Sequence, residues 1–316
     1  MNQRFDILGL GSTSVDEILY VQSYPAPDTK TRVVRWERRC GGLTGTALVT
    51  AARLGATCAY AGRLGFDDSS QLVEENFARE RIDTSHAPRA GENSVVSATI
   101  VVALESGSRN VFSKAPGLTG AHDRLPSERV IQNSRALFVD HHGVVGAIRA
   151  CGVARAAGIP IVADLERADH ECFAELLAEV DHLVISEAFA RRLTGCQSAP
   201  DAVRALWSAQ RTAVVVTCGG SGGWFTVSGD TVGRFHAPEV AAIDTAGCGD
   251  VFHGAYIAGL AFGADIVQRL ELASAAAALY ASRSEGNSIP RRLEVARFLK
   301  ATGSRSAVLI DERLSR

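Results

Sequence analysis

Two aspartates and two glycines fall within one short run, Asp244-Thr-Ala246-Gly247-Cys248-Gly249-Asp250, and an apolar helical pattern follows at once. Gly247-Cys248-Gly249 reads as a turn at a helix N-terminus. Backbone N–H groups there have no intrahelical acceptor, and the helix dipole adds positive potential, so the turn is suited to an anion. Asp250 stands inside that positive site. A phosphate cradle with a carboxylate beside it is what transfer of a phosphoryl group to a hydroxyl requires. An ordinary helix start would account for one glycine and one acid, but not for this density of both.

Other glycine-rich stretches are weaker signals. Val216-Thr217-Cys-Gly219-Gly220-Ser-Gly-Gly223 is a loop after a strand-like run. Gly9-Leu-Gly11-Ser-Thr-Ser14 lacks the third glycine of a dinucleotide fingerprint and runs into a strand pattern instead of a helix. No Gly-x4-Gly-Lys-Ser/Thr loop and no HRD or DFG triplet occurs, which excludes a P-loop and the protein-kinase arrangement.

The elements that must carry these residues alternate. Short apolar strands are expected at Phe5–Leu10, Thr57–Gly62, Leu137–Asp140, Ile159–Asp164, His182–Ser186 and Thr212–Thr217. Helical patterns are expected over Thr44–Leu54, Ser69–Arg81, Val144–Ala157, His170–Ala178 and Asp201–Ala209. This is the rhythm of an α/β fold, a mostly parallel central sheet flanked by helices. Trp224–Val227 and Val232–Phe235 read as a late hairpin, with two helices after Gly249 and a short C-terminal one. The extended segments at about 14–38 and 92–114 break the rhythm and are expected to form a small β-sheet lid on a single domain spanning 1–316. His141-His142 follows a strand and so falls at its C-terminal end, where open sheets bind ligands.

With 316 residues, 46% of them apolar, the chain can bury a large core. A net charge of −2, from 33 basic and 35 acidic residues, argues against nucleic acid or a membrane as partner. Seven scattered cysteines without a CxxC pair suggest reduced thiols, and no signal-peptide pattern opens the chain, so a cytoplasmic setting is expected.

At this point the chain resembles the ribokinase (PfkB) family of carbohydrate kinases. That family's C-terminal motif, Asp-Thr-x-Gly-Ala-Gly-Asp, stands here as residues 244–250; its N-terminal Gly-Gly and Gly-x-x-Gly-x-Asp stand as Gly41-Gly42 and Gly62-Arg-Leu-Gly65-Phe-Asp67. The resemblance implies a ribokinase-like fold, ATP with Mg2+, and a homodimer formed through the β-lid. It implies that Asp250 is the catalytic base and that the N–H groups of Gly247, Cys248 and Gly249 form the anion hole. A helix N-terminus is expected to lower the Asp250 pKa. Cys248, in place of the usual Ala, is expected to be a small buried apolar group; a thiol acidified by the helix is the other reading.

The resemblance also places Asp16, Gly41, Gly42 and Thr46 at the sugar, with Thr46 where many relatives have Asn. Thr217, Gly219 and Gly220 would lie along ATP, with Ser186 beside them. Ser186-Glu187-Ala-Phe189 replaces the family's magnesium-organising Asn-x-x-Glu, which leaves Glu187 as a substitute ligand or a solvated helix-start residue. A K+ site would use Asp244, Ala246 and Ser284–Ser288. Within the family, Asp250-Val-Phe-His-Gly-Ala255 and Ala52-Arg-Leu-Gly-Ala56 are most like sulfofructose kinases, with ketohexokinases next. Lys30, Lys114 and His142 could then hold an anionic tail on the sugar, or could form a solvated lid surface. Two alternatives stay open, a nucleoside kinase on the same fold and a non-catalytic sugar sensor.

Overall fold

A computed structural model describes residues 5–283 and 289–301. The first half runs β1 (Phe5–Leu10), β2 (Ser14–Val21), β3 (Val33–Gly41), α1 (Leu43–Arg53), β4 (Cys58–Tyr60), α2 (Asp68–Arg79), β5 (Val96–Ala103), β6 (Arg109–Lys114), α3 (Glu128–Gln132), β7 (Ser134–Asp140) and α4 (Val144–Ala156). The second half runs β8 (Ile161–Asp164), α5 (Phe173–Glu179), β9 (His182–Ser186), α6 (Glu187–Thr194), α7 (Ala199–Leu206), β10 (Ala213–Thr217), β11 (Gly223–Thr226), β12 (Gly233–Phe235), α8 (Cys248–Ala261), α9 (Ile266–Ala281) and α10 (Arg292–Ala301).

The large sheet has the order β12-β11-β10-β9-β8-β7-β1-β4. Its strands are parallel from β4 to β10, and the β11–β12 hairpin adds an antiparallel edge. Strand side chains alternate between two apolar layers. Ile7, Phe138, Val162 and Val215 pack toward α1, α8 and α9, whereas Leu8, Leu137, Val139 and Ile161 pack toward α4 and its neighbours. Both faces are covered, so the strands read as unbroken apolar runs. Each large aliphatic group buried this way contributes about 1.5–3 kcal/mol.

The small sheet has the order β3-β2-β5-β6, antiparallel except for the β2–β5 pair. It consists of the extended segments that broke the α/β rhythm. Helix limits depart from expectation where capping decides them. Ser198 accepts from the Asp201 N–H at 3.3 Å, so α7 starts at Ala199, two residues before the expected Asp201. No helix among the described residues is long and apolar enough to cross a membrane.

Candidate active site

Chain order along the large sheet reverses between β1 and β7, and the crevice at the C-terminal ends of these strands is where open α/β sheets place ligands. Asp140 ends β7 there, fully buried. It accepts hydrogen bonds from the Ser12 N–H (2.7 Å), the Ser12 hydroxyl (3.0 Å), the Thr44 hydroxyl (2.9 Å) and the His142 N–H (2.8 Å). These donors and nearby His142 hold its carboxyl well below the usual carboxylate range despite burial. Asp140 therefore ties the segment entering β2 to the first turn of α1. Nothing in the local pattern around 140 marks it as a strut, because apart from His142 its partners lie about a hundred residues away.

That tie sets the walls of a cavity of about 190 Å³. Asp16, Gly41, Gly42, Thr46 and Asp250 all line it, as the resemblance implied. Gly42 caps α1 at φ +89°, and a Cβ there would meet the Thr13 Cα at 2.6 Å, so the position admits only glycine. Two cations, Arg39 and Arg109, both from the small sheet, line the same cavity. Arg39 donates from Nε to Glu37 at 2.7 Å and from its terminal nitrogen to the Tyr20 hydroxyl at 3.0 Å.

A second cavity, about 540 Å³, lies on the other side of the glycine-rich turn. Thr217, Gly219, Gly220 and Gly222 line one side, and Phe235, Val240, Phe252 and Ala278 supply an apolar surface. The turn is the partition between the two spaces. Thr245, Cys248 and Gly249 face the larger cavity; Asp244, Ala246, Gly247 and Asp250 face the smaller one. Gly247 caps α8 in the left-handed region at φ +80°. A Cβ on Gly249 would meet nothing within 4 Å, so the backbone there is open to a ligand. The Cys248 N–H is drawn to the Thr245 carbonyl at 3.3 Å, whereas no acceptor among the described residues takes the N–H of Gly249 or Asp250.

The electrostatics correct one expectation. Asp250 is not acidified by its helix N-terminus. Burial, together with Asp164, Glu166, Asp16 and Asp140, pushes its pKa well above the usual carboxylate range. Those acids come from distant strands and the segment after β8, whereas the expectation rested on the local helix alone. Burial likewise raises Asp16, against Ser14 and Arg39. Cys248 is pushed up to about 11, mainly by burial, against the acidified-thiol reading. The residue is half-buried at the edge of the larger cavity and not fully packed away.

Other candidates lie away from the two cavities. Lys30 and Lys114 are exposed on the small sheet and its loop and line neither cavity. His142 turns back on Asp140, its Nδ1 3.3 Å away, and packs its ring on His141 at 4.4 Å. Ser186 caps α6, accepting from the Phe189 N–H at 3.3 Å. Glu187 follows it in the first turn, a half-buried residue whose charge bears on the Cys218 thiol. Among the described residues no group of three or more His, Cys, Asp and Glu side chains is gathered to hold a metal. Asp244 and Ala246 lie together, the Ala246 N–H donating to the Asp244 carboxylate at 2.9 Å. The other half of the expected K+ site, Ser284–Ser288, lies outside the described residues.

The chain as a whole is similar to known proteins. The model of the pfkB family of carbohydrate kinases matches residues 5–292. Ribokinase of Haemophilus influenzae is 28% identical over 308 residues, covering 92% of this chain and 97% of that protein. The 5-dehydro-2-deoxygluconokinase of Shouchella clausii is 24% identical over 314 residues, covering 93% and 95%. The structure of Arabidopsis thaliana ribokinase complexed with ribose and ATP superposes with a TM-score of 0.81, covering 94% of this chain and 99% of that one at 20% identity, a likeness of fold.

Proposed function

The chain belongs to the pfkB family of carbohydrate kinases, and from that premise we propose that it phosphorylates a primary hydroxyl of a small sugar, a ketose or related furanose-forming sugar, at the expense of magnesium-bound ATP. The observation that carries this reading is the partition: one glycine-rich turn presents unpaired N–H groups between two cavities, with Asp250 on the smaller side.

The larger cavity fits a nucleotide. Thr217, Gly219 and Gly220 would lie along it, and the apolar face of Phe235, Val240 and Ala278 suits a base. Magnesium-bound ATP supplies the phosphoryl group and neutralises its charge. In the smaller cavity Asp16, Thr46 and the backbone at Gly41-Gly42 orient the sugar, and Asp250 accepts the proton of the attacking hydroxyl. A pKa raised by burial and neighbouring acids makes Asp250 a stronger base than an exposed aspartate. The N–H groups of Gly247 and Gly249, joined by that of Asp250, face developing charge on the transferring group. The N–H of Cys248 contributes to this cradle when its long bond to Thr245 yields.

The smaller cavity has room for one monosaccharide, which favours a sugar over a nucleoside. An anionic tail on the sugar, of the sulfofructose kind, would meet Arg39 and Arg109 sooner than Lys30 or Lys114. The same reading includes a homodimer through the small sheet, where Val34, Trp36, Val111 and Phe112 are exposed. It also includes a cytoplasmic setting in keeping with seven free thiols. The test is ATP consumption across a panel holding ribose, 5-dehydro-2-deoxygluconate, fructose, 2-keto-3-deoxygluconate and sulfofructose. Saturable, sugar-dependent turnover supports the reading. Turnover only with nucleosides, or with none of the panel, contradicts it.

A further inference from the structure

The kinase reading gives no task to His253, one turn along α8 from Asp250. Its side chain is 5% exposed, and both ring nitrogens face oxygen. Nδ1 lies 2.7 Å from the Gly249 carbonyl and 3.2 Å from an Asp164 carboxylate oxygen; Nε2 lies 2.8 Å from the Val184 carbonyl of β9. A carbonyl oxygen only accepts. A neutral imidazole has one donor nitrogen, so one carbonyl would face a ring lone pair at hydrogen-bond distance. Turning the ring by half a revolution sets carbon against both carbonyls and loses both bonds. Donation to both requires the imidazolium.

We propose, building on the kinase reading, that His253 is a positioning residue: as an imidazolium paired with Asp164 it clamps the first turn of α8 to β9 and aims the anion cradle. The geometry links the clamp to the cradle through one peptide plane. In a trans peptide the C=O and the following N–H point in opposite directions. Fixing the Gly249 carbonyl therefore fixes the Asp250 N–H toward the cleft, beside the base itself. The Val184 bond anchors the same ring to the sheet, which keeps the turn at a set depth over the strand ends.

The imidazolium also sets a positive charge among acids. The acids around it are Asp164 at the end of β8 and Glu166 just beyond it, both of which also bear on Asp250, and the Phe138 ring of β7 and the Phe252 ring pack beside it. Burial pulls the imidazole pKa below its ordinary value and outweighs the Val184 and Gly249 carbonyls and Glu166, which pull it up. The charged ring rests on the two carbonyl contacts, which a neutral ring cannot both satisfy. Burial, Glu166 and Asp140 push Asp164 up, and a cation 3.2 Å away favours its ionised form. Together they form a buried ion pair behind the reacting acid.

The direct test is nitrogen-15 NMR of the full chain labelled at histidine. Of the eight histidines, one should keep both ring protons at about pH 9, far above the ordinary histidine range. If every histidine shows an unprotonated ring nitrogen there, the proposal is overturned, whether or not the chain proves to be a kinase. The kinetic test is His253→Gln on the sugar that the wild type turns over. We expect kcat to fall about tenfold or more, with the sugar KM within about threefold. The acid limb of kcat should also move to higher pH, because Asp164, whose charge bears on Asp250, loses its paired cation. A folded Gln variant with wild-type kcat and an unmoved pH profile overturns the positioning role. If that variant does not fold, the NMR result decides alone. Failure of the wild type on every sugar would instead count against the kinase reading.

Discussion

Arg109, on the last strand of the small sheet, holds its guanidinium 3.8 Å from the Asp244 carboxylate, which opens the glycine-rich turn. It also reaches the Thr245 hydroxyl at 3.4 Å. Arg39 approaches Asp244 from the same sheet at 3.9 Å. The small sheet is thereby joined electrostatically to the glycine-rich turn, across the cavity proposed for the sugar. Arg109→Ala should raise the sugar KM about tenfold, roughly one lost charged contact, while kcat changes little. Both partners are about 40% exposed, so stability should fall by less than about 1 kcal/mol. Steady-state kinetics with a thermal melt of the same sample checks both.

Asp140 should carry stability more than chemistry. An Asn in its place would turn an amide NH2 toward groups that are themselves donors. Asp140→Asn should cost about 3 kcal/mol, as for other buried charges with several hydrogen bonds. The pH dependence has a definite sign. A carboxylate whose folded pKa is depressed stabilises above its unfolded value near 4, and that contribution fades as pH falls through the lower folded value. Denaturant titrations of wild type and variant should differ fully at pH 7 and converge in strong acid.

Gly42→Ala tests whether the approach of α1 to the segment entering β2 is as tight as described. At φ +89°, with a Cβ only 2.6 Å from the Thr13 Cα, the substitution combines backbone strain with a backbone clash. A loss of about 3 kcal/mol or more is expected. A chemical denaturation curve measures it, and a loss below about 1 kcal/mol would mean the segment moves aside freely.

Cys248 stands in the turn yet should be dispensable. Burial raises its thiol to about 11, so it is almost wholly protonated at neutral pH. Alkylation by iodoacetamide at pH 7.5 should be slow at this position, as peptide mass mapping would show. Cys248→Ala should keep kcat within about twofold, because the cradle uses backbone and not the side chain.

What could be read from sequence depended on how local the cause was. The parallel strands were legible because burial on both faces makes them unbroken apolar runs, and residues 244–250 were legible because anion binding needs contiguous backbone. Asp16, Gly42 and Thr46 came from the family resemblance, and the structure gathers them around one cavity. Arg39 and Arg109 were not legible: the lid segments were expected, but which of their side chains reach the cavity depends on strand register that local sequence does not set. The raised pKa of Asp250 was missed for the same reason: its helix is adjacent in sequence, whereas the opposing acids come from β2, β7, β8 and the segment after β8. The helix α6 is eight residues long, with Phe189 and Ala190 its only buried side chains, too few to show a helical period.

In the proposed reaction Asp250 takes the proton of the sugar hydroxyl while the turn before it holds the phosphate. Single-turnover phosphoryl transfer by Asp250→Asn, on the sugar that wild type phosphorylates, tests it most directly. The expected rate is about 10²–10⁴ times slower, with the ATP Kd within about threefold, because removal of a general base leaves nucleotide binding intact. An Asp250→Asn enzyme that transfers phosphate at the wild-type rate would contradict the account.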